Sequence, residues 1–117
     1  MARFAALFCA VIAAATSAAA AAVQERDSAL ITFFTDINYL GQEFTYFGTV
    51  PTGCIPLGPP FVSSVSSVQI ANGIRCTLWN ETECGRAPGK SITLNGNVPN
   101  LVNLEFNDLT VAFECLA

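Results

Sequence analysis

A chain of 117 residues with five basic and nine acidic side chains and no histidine has room for one small domain and little more. Its net charge of −4 and the lack of any basic cluster exclude the electrostatic footprint of nucleic-acid binding or of attachment to an anionic membrane surface. Without histidine there is no Ser-His or Cys-His nucleophile pair, and no G-x-S-x-G, phosphate-loop or zinc motif is present, so the residues point away from an enzyme.

The first 22 residues read as a secretory signal peptide. Arg3 supplies a short positive start, Phe4 to Ala15 is an apolar run too short to span a bilayer, and Thr16 to Ala22 is a small-residue tail with several A-x-A cleavage options. No other long apolar run follows, so no membrane span is expected. The polar stretch Val23 to Ser28 reads as a flexible N-terminus, which leaves a domain over 29–117. Loss of Arg3 with the leader leaves four basic against nine acidic residues, a charge of about −5. Loss of Cys9 leaves Cys54, Cys76, Cys84 and Cys115, an even set suited to two disulfides in an oxidising compartment. A metal-binding reading of the cysteines is weak, because no Cys-x-x-Cys pair and no histidine accompany them.

From Ala29 onward there is no helical period. Eight short β-branched or aromatic runs follow, separated by Gly, Pro, Asn and Ser: Leu30–Phe34, Glu43–Phe47, Cys54–Leu57, Ser66–Ile70, Ile74–Trp79, Ser91–Leu94, Leu101–Leu104 and Thr110–Leu116. That pattern predicts an all-β sandwich. The two halves resemble each other. Phe33-Phe34-Thr35-Asp36 corresponds to Leu78-Trp79-Asn80-Glu81, and Ser66 to Ile70 corresponds to Val111 to Cys115. Two Greek keys of about eight strands in total follow, one over about 29–72 and one over about 73–117. Most of the aromatics are explained as core and flap packing rather than as a carbohydrate platform.

Phe34, Tyr39 and Gly41, with Ser67 further on, resemble the folded-hairpin pattern of the βγ-crystallin superfamily, specifically its small secreted, cysteine-bearing fungal and microbial members. The resemblance covers nearly all of 29–117. It implies that the hairpin bends back over its sheet with the two aromatics packed together, glycine permitting the tight turn and the serine hydroxyl tying the flap down. In the second half Trp79 keeps the first aromatic, but Cys84 stands in place of the second, Gly85 arrives one residue early and Ala112 replaces the serine.

The resemblance also brings a calcium motif, N/D-N/D-x-x-S/T-S, used in two copies whose oxygens combine across the halves. Here Val62-Ser63-Ser64-Val65-Ser66-Ser67 has serines without the acidic pair, and Asn107-Asp108-Leu109-Thr110-Val111-Ala112 has the pair without serines. The implied site is a single weak one drawing on Asp108, Asn107 and Ser66. Otherwise Asn107 and Asp108 form an ordinary polar turn. The fold suggests Cys54–Cys115 and Cys76–Cys84 as the disulfides, with Cys76–Cys115 as a rival on strand parity. Asn80-Glu81-Thr82 is a glycosylation sequon, with Asn80 as acceptor in the second hairpin.

The expectation is therefore a secreted, extracellular, monomeric and non-enzymatic structural or binding module. It would carry no cofactor beyond weakly bound calcium and meet a cell-wall or extracellular partner. The alternative is a secreted antimicrobial, killer-toxin-like or host-directed effector.

Overall fold

Short apolar runs with one buried face can hide that face only by stacking one sheet on another. The computed structural model describes residues 28–117. The expected signal peptide, and all of the polar stretch except Ser28, lie outside the described residues. Seven strands form: β1 (Ser28–Asp36), β2 (Leu40–Gly48), β3 (Ile55–Pro56), β4 (Ser67–Ile70), β5 (Arg75–Trp79), β6 (Ser91–Leu94) and β7 (Ala112–Leu116). Ser28, expected in the flexible terminus, is the first residue of β1 and pairs with Gly48.

The strands make two antiparallel sheets, β2-β1-β4 and β3-β7-β5-β6. The third strand of the first half therefore sits in the sheet of the second half, pairing Ile55 with Phe113. The converse exchange is reduced to one bridge, Val68 to Val98. Leu101–Leu104, expected as an eighth strand, is a turn of 3-10 helix. Pro99 has no N–H to give a ladder, and the Asn100 side chain accepts a hydrogen bond from the Val102 N–H at 2.9 Å, capping the turn.

Ile31, Phe33, Val68 and Ile70 from the first sheet face Cys76, Leu78, Phe113 and Cys115 from the second, all buried. The Phe33 and Phe113 rings meet at 4.9 Å, and Tyr46 stands edge-on to Phe113 at 5.4 Å. Fully burying one such ring contributes about 2–3 kcal/mol, so these aromatics dominate the core. No helix among the described residues is long and apolar enough to cross a membrane.

Candidate functional site

The turn between β1 and β2 folds back on its own sheet. Asn38 and Tyr39 both take left-handed backbone angles, φ 59° and 61°, which carries Tyr39 over Phe34 in an edge-on contact at 5.6 Å. Gly41 follows at φ +84°, where a Cβ would come within 2.3 Å of Thr35 Oγ1 and 2.9 Å of the Asp36 carboxyl group. Only glycine fits there. Buried Ser67, at the start of β4, accepts from the Tyr39 N–H at 3.0 Å and donates to the Asp36 carbonyl at 2.6 Å. One hydroxyl thus satisfies two backbone groups of a turn that has no ladder of its own.

The turn between β5 and β6 keeps the same backbone logic with different side chains. Cys84 is left-handed at φ 49°, as Tyr39 is at φ 61° at the corresponding position, and Gly85 has φ +98°, where a Cβ would meet the Trp79 indole at 3.5 Å. The two carboxylate oxygens of Glu81 accept from the Glu83 and Gly85 N–H groups. This carboxylate does for the second flap what Ser67 does for the first, and nothing in the sequence distinguishes it from a solvated turn residue. Glu81→Ala is expected to cost about 1–2 kcal/mol, because charge-assisted bonds to two loop amides are lost. Faster hydrogen exchange at Glu83 and Gly85, with β1 to β4 unchanged, is the matching readout. Asn80 is half-buried at the mouth of this flap, its N–H donating to the Lys90 carbonyl at 2.9 Å.

The disulfides are Cys54–Cys84 and Cys76–Cys115, which corrects the expected Cys54–Cys115 and Cys76–Cys84. Cys76 lies directly opposite Cys115 in the β5–β7 ladder, with Cα atoms 4.0 Å apart and both side chains in the core. Because Ile55 pairs with Phe113, Cys54 falls opposite Glu114. One residue of register turns its side chain to the other face, towards the second flap and Cys84.

Between the flaps, the segments 62–67 and 107–112 cross reciprocally. The Ser63 N–H donates to the Thr110 carbonyl at 2.9 Å, and the Asp108 N–H donates to the Val65 carbonyl at 3.0 Å. Ser63 and Asp108 share the left-handed conformation, φ 56° and 60°. Ser66 bonds through its N–H to the Phe34 carbonyl and Val111 through its N–H to that of Trp79. The two loops are therefore related position by position, although their side chains differ.

No family model matches this chain, and no curated protein sequence does. Solved structures do. A betagamma-crystallin domain from Flavobacterium johnsoniae is 24% identical, with 75% of this chain and 94% of that one covered at a TM-score of 0.58. One from Clostridium beijerinckii is 19% identical over 74% and 97% at 0.57. The N-terminal domain of Protein S is 21% identical over 76% and 97% at 0.59. The chain has the βγ-crystallin fold.

The crossed loops carry unequal side chains. Of these loops' side chains, Asn107 Oδ1 is buried without a hydrogen-bond partner, Ser66 is buried and Asp108 is exposed. Ser63 stands where the paired loop has Asp108, and Val111 where it has Ser66. A carboxylate, an amide oxygen and a hydroxyl are the hard donor types that calcium takes, while Ser63 and Val111 at the corresponding positions offer no carboxylate. Among the described residues, no group of three or more His, Cys, Asp or Glu is placed to hold a metal ion. Thr110 Oγ1 is also buried and unpartnered, and nothing in its sequence context signals that.

Proposed function

We propose that the protein is a secreted, non-enzymatic βγ-crystallin-like module that acts by stable structure and binding and holds calcium weakly at one position. The observation that carries this reading is the reciprocal clamp of Ser63 and Asp108. It preserves the backbone of both crossed loops while only one of the two related positions, Asp108 and not Ser63, carries a carboxylate. Asp108, Asn107 and Ser66 hold the ion, and a single carboxylate sets the affinity in the millimolar range of extracellular modules. The leader-like residues 1–22, the two disulfides and the sequon at Asn80 all suit an oxidising, extracellular setting.

Calcium at 10 times a millimolar dissociation constant stabilises the native state by about 1.4 kcal/mol, a rise of roughly 5–10 °C in Tm for a domain of this size. Thermal melts of the oxidised protein in 10 mM calcium chloride should show that rise, and Asp108→Asn should abolish it. An unchanged Tm would remove the calcium site. For the module itself, the measurement is what the purified protein retains from cell-wall and extracellular material. Growth inhibition of a competitor or host by the same preparation would replace this reading with that of a toxin or effector.

A further inference from the structure

Two sheets have four outer edges, and three of them are closed or short. β3 is two residues long and ends in Pro56, which cannot donate to a further strand. β6 has four residues. The open side of β4 is covered by two hydrogen bonds between Val68 and Val98, at 2.9 and 3.0 Å, and by Asn97 Oδ1 accepting from the Ile70 N–H at 2.8 Å. β2 differs from all three. It runs for nine residues, is paired along one side with β1 from Ser28↔Gly48 to Asp36↔Leu40, and has no strand paired to its other side among the described residues. Edges of this length are ordinarily blunted by several charges, by proline or by a covering segment. Here Glu43 is the one charge, and Leu40 and Phe47 stand 61% and 59% exposed.

Beside that edge the seam between the sheets opens into a cleft of about 250 Å³ lined by Phe44, Pro56, Leu57, Gly58, Pro59 and Phe61. It is below the size of a drug-like ligand site and suits one aliphatic or aromatic side chain. Phe44 belongs to β2 itself and faces inward, its ring 6.2 Å from Phe33 and 5.7 Å from Phe61. A strand added to β2 would alternate side chains between this cleft and the outer face where Glu43 lies.

Charge decides between occupants. Residues 28–72 contain Asp36 and Glu43 and no lysine or arginine; Arg26 precedes the described residues, and Arg75, Arg86 and Lys90 lie in the second half. A second copy paired through β2 would bring two such edges together, with like charges and no compensating base within residues 28–72. A segment carrying lysine or arginine would meet an uncompensated acid. We infer that β2 is a docking edge for an extended basic segment of another protein. That segment adds as a fourth strand beside β2, seats an apolar side chain in the Phe44–Phe61 cleft and places a basic residue against Glu43.

This deepens the binding half of the reading above and is independent of calcium, so the melt and the following titration fail separately. The probes are three fluorescein-labelled nine-residue peptides: alternating lysine and valine, alternating glutamate and valine, and the lysine peptide with proline at its centre. Fluorescence anisotropy with the full oxidised protein should show the lysine peptide binding at least tenfold more tightly than either control, with hydrogen-exchange protection gained at residues 43–47. Glu43→Lys should invert the preference between the lysine and glutamate peptides. Gly58→Leu should weaken binding at least tenfold without unfolding the protein, because a Cβ at Gly58 meets nothing within 4 Å. Equal binding of the proline peptide, protection outside β2, or indifference to Gly58→Leu would overturn the inference. Sedimentation showing a dimer that Glu43→Lys alters would overturn it in favour of a second copy.

Discussion

Replacing Cys76 and Cys115 together by alanine is expected to lower the unfolding free energy by about 4–5 kcal/mol, and replacing Cys54 and Cys84 by somewhat less, about 3–4 kcal/mol. The separations are 39 and 30 residues, so loop entropy alone gives nearly equal values, about 3.9 and 3.6 kcal/mol. Any larger gap between the two variants therefore measures burial. Cys76 and Cys115 are fully enclosed between the sheets, whereas Cys54 and Cys84 are half-exposed at the rim, and only the enclosed pair leaves a cavity when truncated. A domain of about 90 residues has roughly 5–13 kcal/mol in total, so loss of the inner bridge removes a third or more of it. Urea denaturation of the two double variants provides the comparison. Equal midpoints would show that cross-linking of the unfolded chain is the whole effect.

Ser67→Ala is the second large change, at about 2–4 kcal/mol. Its hydroxyl is buried and serves both the Tyr39 N–H and the Asp36 carbonyl, and each backbone group left without a partner costs about 1–3 kcal/mol. The loss should be local before it is global. Hydrogen exchange at Tyr39 and quenching of tyrosine fluorescence should respond in urea concentrations at which the β5–β7 ladder is intact. Ser67→Thr keeps the hydroxyl and should recover most of the loss. A Ser67→Ala variant as stable as the parent would show that water takes over both bonds.

Architecture was legible where it depends on spacing along one segment. The alternation of β1 and β5, the turn residues between them, and the Phe34, Tyr39, Gly41 and Ser67 pattern are each a few residues wide. What was not legible depends on how segments meet. Leu101–Leu104 has the composition of a strand, and Pro99 with Asn100 decides against one only because the Asn100 side chain caps Val102. The disulfides turn on a single residue of register between β3 and β7. Two cysteines near neighbouring strands look interchangeable until the face of each is known. Glu81 reads as a solvated turn residue because the N–H groups that donate to it lie two and four residues onward, within a loop whose path no pattern states. The inequality of the crossed loops was visible in their side chains, but their reciprocal hydrogen bonds were not.

The placement of β3 has a consequence for the chain as a covalent object. The first half lends β3 to the sheet of the second, and Cys54 carries the bond to Cys84. Neither half owns a finished sheet pair, so a fragment ending near Asn72 is an incomplete domain rather than a small one. Conversely, Asn72 and Gly73 form an exposed turn, and a cut there severs the backbone without separating the pieces. The nicked protein stays covalently one molecule until its rim disulfide is reduced, because Cys54–Cys84 spans the two halves whereas Cys76–Cys115 lies wholly in the second.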